Sequence, residues 1–266
     1  MTNAQLRTYK KGESRFYVDD ATGATAPGVT SILNMLPKPF LQYWAAKVVA
    51  EEAVADLGSI VGMALRNPDN AVDYLKGAPR RVTKGAADFG TSAHDIFERL
   101  ARGETMPRVH PEMREVADHF REFLDRVQPE FLHLEETFWS DTHNFAGSAD
   151  AVAKIDGGIV ILDWKTTRSG VHEEVALQLS AYGNADRIVL SETGESVPVP
   201  AIEAGAVLHV RPEGWKLVPT LYTPEVFGVF LHLRAIFDWD KELKRTVIGR
   251  PVATGGQQST GSERRR

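Results

Sequence analysis

The order of helix-like and strand-like segments predicts an α/β or α+β fold with a helical N-terminal layer. Apolar residues recur at helical spacing in the first half of the chain, at 40–57, 86–102 and 112–127. The pattern then changes to strand-like alternation, at 131–139, 145–155 and 159–167. The remainder combines both patterns, with helices predicted at 173–187 and 224–245 and strands at 203–210 and 215–221.

A chain of 266 residues is long enough to bury one sizeable core. We expect a single domain over residues 1–250, in which a helical part at about 28–128 precedes a sheet core at about 130–245. The shorter predicted elements are a hairpin within 6–18, a short helix after Pro27-Gly28, a helix at 68–76 and a basic connector at 76–85. Residues 254–266 contain no apolar residue, so we expect a disordered tail at 251–266.

Composition excludes several classes of protein. Hydrophobic residues are 42% and charged residues 25% of the chain, as in ordinary globular proteins. No apolar run approaches the ~18 residues that a membrane span needs, and the first ten residues lack the apolar segment of a secretory signal. A cytoplasmic protein is therefore expected. Because the chain has no cysteine, disulfides, cysteine-bound zinc, iron–sulfur clusters and thiol nucleophiles are excluded.

The net charge is −5, from 31 basic and 36 acidic residues. Proteins that bind nucleic acid through their overall charge are usually basic. Any nucleic-acid binding by this chain must therefore be local, through a basic patch or through a metal that offsets nearby carboxylates.

A predicted β-hairpin places three chemically active residues on one face of a sheet. Asp156-Gly157-Gly158 is a strong turn pattern. A loop of Asp156-Gly157 puts Asp150 opposite Asp163, and a loop of Gly157-Gly158 puts it opposite Lys165. In both registers Asp150, Asp163 and Lys165 share a face, because strand side chains alternate; a three-residue loop would separate them.

Two neighbouring carboxylates at the end of an apolar strand are costly to bury. A divalent cation offsets that cost, and so does a simple ion pair with Lys165, which is also common on an ordinary solvated sheet face. Carboxylate ligands suit Mg²⁺ or Mn²⁺. A lysine beside such a metal can position a water or stabilise charge that develops on a phosphate.

Two helical pairs accompany the hairpin. His94 and Glu98 are four residues apart and share a helix face, and the same is true of Gln178 and Tyr182. Each pair alone is more typical of ordinary surface or core packing than of a functional site.

Taken in order, the four motifs resemble those of the PD-(D/E)xK nuclease superfamily. The motifs are Gly90-x-x-x-His94-x-x-x-Glu98, Gly147-x-x-Asp150, Asp163-x-Lys165-Thr166 and Gln178-x-x-x-Tyr182, and they cover residues 86–185. The closest similarity is to the RecB-type branch, which includes CRISPR adaptation nucleases and phage exonucleases. This resemblance implies a restriction-endonuclease-like core, with helices flanking a mixed central sheet. It also implies a Mg²⁺- or Mn²⁺-dependent deoxyribonuclease, specifically an exonuclease in recombination, repair or phage DNA processing.

The resemblance also implies a role for each matching residue. It assigns metal ligation to His94, Asp150, Asp163 and the backbone carbonyl of Trp164. Lys165 orients or activates the attacking water and forms the catalytic group with Asp150 and Asp163. Glu98, Gln178 and Tyr182 contact DNA or brace the site, with Glu98 having the least defined role. Ala149 stands where the superfamily name has proline, and the cysteines of the iron–sulfur subgroup are missing.

Other residues fit DNA as the partner. Arg80, Arg81 and Lys84 precede His94 and are suited to gripping phosphates, or are only solvated. Phe40, Tyr43 and Trp44 are suited to stacking on single-strand bases, although core packing is the more common role of such residues. The chain has no P-loop, so any unwinding of DNA falls to a helicase or recombination partner. The alternatives are an inactive DNA-binding module, a structural protein with surface ion pairs, an RNA nuclease and an endonuclease.

Overall fold

The computed structural model describes residues 6–106, 108–253 and 255–256. It is an α+β structure, in which helices flank a mixed seven-stranded sheet, and the predicted fold class is therefore confirmed. The strands are β1 Arg7–Lys11, β2 Ser14–Val18, β3 Thr25–Pro27, β4 Glu130–Ser140, β5 Phe145–Ile155, β6 Gly158–Lys165, β7 Arg187–Val189, β8 Ser196–Pro198, β9 Ala204–Arg211 and β10 Gly214–Thr220. The α-helices are α1 Val29–Leu33, α2 Phe40–Ala55, α3 Leu57–Arg66, α4 Pro68–Lys76, α5 Ala78–Ala101, α6 Arg114–Val127, α7 Glu174–Gly183 and α8 Pro224–Lys241.

The large sheet has the order β10-β9-β6-β5-β4-β7-β8. Strands β6 and β9 are parallel, and the other neighbouring strands are antiparallel. Between the parallel neighbours β6 and β9 the chain passes through α7 and then through β7 and β8 at the far edge of the sheet. Strands β1, β2 and β3 form a separate antiparallel sheet.

Both faces of the central strands are buried, and β6 accordingly has apolar side chains on both faces. Helices α1, α7 and α8 cover one face, where Ile161 is fully buried. Helices α5 and α6 cover the other face, where Leu162 and Trp164 are fully buried. Asp163 follows the alternation and lies on the α7 side. The hairpin motifs therefore occupy the centre of the sheet.

Most of the predicted elements are present, but the basic connector at 76–85 was wrong. Helix α5 begins at Ala78 and continues to Ala101, and Pro79 lies in its first turn, where proline is compatible with a helix. Helix α3 and strands β3, β7 and β8 were not predicted. The N-terminal half is helical as expected, but its helices cover both faces of the sheet. Most of the predicted tail, 254 and 257–266, lies outside the described residues.

None of the helices among the described residues combines the length and the apolar character needed to cross a membrane.

An aromatic stack holds α5 against the sheet and thereby places His94. Phe97 and Phe120 are fully buried, and their rings stack with centroids 4.5 Å apart. Both rings meet the edge of Trp164, at 6.0 and 5.4 Å. His94 lies one turn before Phe97 on the same helix, 6.0 Å from the Trp164 ring. Core packing therefore determines the distance between His94 and β6.

Replacing Phe97 with alanine should lower the free energy of unfolding by about 3–5 kcal/mol, because it opens a cavity beside Trp164. Phe40→Ala is the matched control: this side chain is 58% exposed, so the change should be within about 0.5 kcal/mol. Urea denaturation of both variants measures the difference. Similar, small losses would contradict the assignment of Phe97 to the core.

Candidate active site

The hairpin adopts the first of the two registers that the sequence left open. Ala151 pairs with Leu162 and Ile155 with Gly158, so Asp156-Gly157 is the loop. Its φ angles are +49° and +87°, the left-handed values that a two-residue type I′ turn requires. Asp150 and Asp163 are the next residues beyond the last pair, at the end where the strands separate. There an oxygen of the Asp150 carboxylate accepts a hydrogen bond from the backbone N–H of Trp164 at 2.5 Å.

Asp163 is a buried carboxylate held by two partners. Its side chain is 4% exposed, and Lys165 Nζ lies 2.7 Å from Oδ1 and 2.6 Å from Oδ2. Gln178 on α7 donates a further hydrogen bond to Oδ1 at 3.1 Å. Burial raises the pKa of Asp163 to about 6, although the ammonium of Lys165 opposes the shift. Burial lowers the pKa of Lys165, but the charges of Asp163 and Asp150 outweigh it and raise that pKa overall. At neutral pH the two form an ion pair.

A second group of side chains lies beside this pair. His94 Nδ1 is 3.4 Å from Asp150 Oδ1. Glu135 joins them, and one donor atom from each of the three residues lies within 4.8 Å of the others. Burial opposes protonation of His94, but the hydrogen bond and charge of Asp150 raise its pKa overall. The three side chains offer a mixed nitrogen and oxygen ligand set for one cation.

Glu135 is a further member of the site that was not predicted. It lies in β4 between the pairs Leu134–Ala151 and Glu136–Ala149, and so opposite Asp150. Its φ is +54°, in a left-handed region that non-glycine residues rarely adopt. Burial and the charge of Asp150 raise its pKa to about 8. The feature that could have revealed it is the consecutive pair Glu135-Glu136, because strand alternation directs two adjacent acids to opposite faces and one of them must then lie on a covered face.

The other predicted site residues have varied positions. Glu98 lines a cavity with His94 and Glu135, but its carboxylate binds Arg102 at 2.9 Å. Arg81 donates to Glu52 at 2.9 Å and stacks on Tyr74. Two further predicted DNA contacts lie exposed on the first half of α5, namely Arg80 and Lys84. The structure thus brings His94, Asp150, Asp163, Lys165 and Gln178 together, while Arg81 already has an internal partner.

Tyr182 explains the glycine of the Gly147-x-x-Asp150 motif. Its buried ring lies against the backbone of Gly147, where a Cβ atom would come within 2.8 Å of the ring carbon Cε1 and 3.1 Å of Oη. Gln178 Nε2 lies 3.4 Å from the same hydroxyl. Because Gln178 also holds Asp163, the close approach at Gly147 fixes how near α7 lies to the site.

Gly147→Ala should lower the free energy of unfolding by about 1–3 kcal/mol, because the new methyl group overlaps a ring that has no room to move. Gly58→Ala in α3 is the matched control, since nothing lies within 4 Å of its added Cβ. Thermal and urea unfolding compare the two. A second change, Tyr182→Leu, should recover part of the loss; simple additivity of the two changes would contradict the proposed contact.

The raised pKa of Glu135 predicts that the metal-free protein loses stability as the pH rises. Its pKa is about 8 when folded, against an ordinary value of 4.5. Between these values the folded state holds a proton that the unfolded state has released, so the free energy of unfolding falls with increasing pH. We expect a decrease in Tm of at least about 2 °C between pH 5.5 and pH 8 in EDTA.

Glu135→Gln should reduce this decrease, whereas Glu192→Gln, which makes the same change at an exposed position, should not. Calorimetry at both pH values provides the comparison. An identical pH dependence in wild type and Glu135→Gln would show that Glu135 is ionised throughout this range.

No family model matches the chain, and no curated protein is detectably similar to it. The function must therefore be argued from the side chains of the site.

Proposed function

We propose that this protein is a Mn²⁺- or Mg²⁺-dependent DNA nuclease of the PD-(D/E)xK type, acting as an exonuclease. One observation carries the proposal: a mixed histidine and carboxylate ligand set lies beside a buried Asp163–Lys165 pair. A cation and a lysine at one place are suited to phosphodiester hydrolysis. Strand β6 supplies Asp163 and Lys165, and the adjoining strand and α5 supply Asp150 and His94.

The ligand set fits a hard divalent cation. Donor atoms around an octahedral ion at about 2.1 Å are separated by about 3–4.2 Å, so donors within 4.8 Å of each other need only small adjustments. Oxygen ligands suit Mg²⁺ and Mn²⁺, and the imidazole nitrogen of His94 favours Mn²⁺ of the two. We therefore infer that His94, Glu135 and Asp150 hold the ion. When bound, it supplies a Lewis acid for the phosphate and a more acidic water.

Lys165 provides the second element of the chemistry. Its ammonium remains protonated beside Asp163, so it acts as a donor and a positive charge rather than as a base. In this state it stabilises the negative charge that develops on a phosphate oxygen, or orients the attacking water. Asp163 holds the ammonium in place and is itself held by a hydrogen bond from Gln178 on α7. If Asp163 also ligates the metal, as the resemblance implies, its ion pair with Lys165 must open.

The narrower parts of the proposal rest on the resemblance. It favours DNA over RNA, linear ends over internal sites, and a cytoplasmic role in recombination, repair or phage DNA processing. It also favours a helicase or recombination partner, because the chain has no P-loop. The Trp164 carbonyl as a ligand, and DNA contacts by Glu98, Arg80, Arg81 and Lys84, remain predictions.

Cleavage of end-labelled DNA tests the proposal. Wild-type protein should degrade linear DNA in Mn²⁺ or Mg²⁺ but not in EDTA, and closed circles should be spared if the enzyme requires ends. Lys165→Ala should reduce the rate by at least about 100-fold, as expected on loss of a donor to the transition state. Glu135→Gln should raise the Mn²⁺ concentration needed for half-maximal rate by at least about tenfold. Lys10→Ala, an exposed change in the small sheet, should cleave at the wild-type rate.

The possible results separate the alternatives. Equal rates for wild type and Lys165→Ala would contradict the proposed site. Binding of Mn²⁺ and DNA without cleavage would indicate an inactive binding module. Absence of Mn²⁺ binding by calorimetry would contradict the ligand set itself.

A further inference from the structure

A large cleft opens directly onto the candidate site. It has a volume of about 780 Å³, and both His94 and Lys165 line it. Helices α2 and α5 form one wall, and the loop that follows β6 forms the other, with the end of β9. The mechanism described above uses only His94 and Lys165 of this lining. Trp44 of α2 and Arg168 of the loop after β6 belong to the two walls and have no role in it.

The lining of this cleft carries positive charge without negative charge. Its basic residues are Arg81, Lys165, Arg168 and Arg211, and none of the residues that line it is acidic. This is unusual in a chain with 36 acidic and 31 basic residues. A concave surface of this kind attracts a polyanion, although the protein as a whole carries a net negative charge.

The four cations differ in how far they are already neutralised. Arg81 binds Glu52 at 2.9 Å, and Lys165 binds Asp163. Arg211 donates to the backbone oxygen of Thr166 at 2.8 Å, with Glu213 at 3.6 Å from its guanidinium. Arg168 is exposed and has no hydrogen bond or ion pair with any residue that the structure describes. It is therefore the cation with the most charge to offer a ligand.

The wall formed by α2 and α5 is mainly apolar and aromatic, apart from Arg81 and His94. Trp44 is half-buried, yet it belongs to none of the three core clusters among the described residues. Val82 is 49% exposed, and Phe89 is only partly buried against the α5–α6 core. The cleft thus combines flat apolar surface on the α2–α5 wall with the positive charge of Arg168 and Arg211 on the other wall. Single-stranded nucleic acid has the complementary pattern, because its bases are exposed for stacking along one side of a charged backbone.

We propose that this cleft binds single-stranded nucleic acid and leads one strand to the site, with a base stacked on Trp44 and phosphates held by Arg168 and Arg211. In a duplex the base faces are stacked within the helix, so the aromatic wall would have no role. Arg168 is three residues from Lys165, which limits their Cα separation to about 11 Å. A phosphate at Arg168 therefore lies within a few nucleotides of the proposed cleavage point. The inference that the strand leads to a cleavage site rests on the proposed function, whereas the binding of the strand in the cleft does not.

Fluorescence anisotropy in EDTA tests binding without hydrolysis. The probes are fluorescein-labelled oligothymidylate, oligouridylate of equal length, and a hairpin duplex. Wild-type protein should bind a single strand at least tenfold more tightly than the duplex, and the two single strands show which sugar is preferred. Trp44→Ala should weaken single-strand binding by about fivefold to a hundredfold, the effect of losing one stacked base. Trp44→Phe should retain most of the affinity.

Matched variants separate a local role from a structural one. Tyr43 was also suited to stacking on sequence grounds, but it is 80% exposed and does not line the cleft. Tyr43→Ala should therefore bind like wild type. Arg168→Ala should weaken binding, and the slope of log K against log salt concentration should become less steep by about 0.7. Lys10→Ala should change neither the affinity nor the slope. Unfolding midpoints of all variants should match wild type within about 2 °C.

Equal affinity for single strand and duplex, or equal effects of Trp44→Ala and Tyr43→Ala, would overturn the proposal. A protein that binds single strands through Trp44 but cleaves no DNA would leave this inference intact and contradict the proposed nuclease. Metal-dependent cleavage that does not depend on Trp44 or Arg168 would support the proposed nuclease and contradict this inference.

Discussion

The buried carboxylate of Asp163 is the constraint on which the rest of the site depends. Strand β6 is covered on both faces, so a charge there is costly unless it is paired and hydrogen-bonded. Lys165 supplies the charge and Gln178 the hydrogen bond. Gln178 reaches Asp163 only because α7 packs closely on the sheet, and that approach needs the missing side chain at Gly147. Motifs that are far apart in sequence are thus parts of one packing arrangement.

The hairpin and the helical pairs could be predicted because local geometry determines them. Asp156-Gly157 is suited to a type I′ turn, which fixes the register and brings Asp150 and Asp163 to the same end of the hairpin. Alternation does not determine their partners: Asp163 contacts Gln178 of α7, whereas Asp150 contacts His94 of α5. The resemblance implied that Gln178 contacts DNA or braces the site, but it did not specify the hydrogen bond to Asp163. The spacing of Gln178 and Tyr182 shows that they share a helix face, but not which strand that face meets.

Glu135 and the start of α5 were missed, for different physical reasons. The left-handed φ of Glu135 depends on the surrounding sheet, since it interrupts the pairing opposite Asp150. The segment at 76–85 combines glycine, proline and several charges, which is the usual composition of a loop. Contacts of Arg81 with Glu52 and Tyr74 instead tie it to α2 and α4, so tertiary interactions override its weak helix preference.

The division of charge explains how an acidic protein can be suited to a polyanion. Beside the cleft, His94, Glu135 and Asp150 form a set that a cation would complete, since the proton that Glu135 holds near neutral pH would leave as the ion binds. Of this set only His94 lines the cleft, whose lining contains cations and no acid. Different residues thus have the two roles: the cations of the cleft attract the ligand, and the ligand set holds the ion that would neutralise the reacting phosphate. A strand held along the cleft would reach His94 and Lys165. These two residues lie beside the carboxylates that are suited to holding a metal.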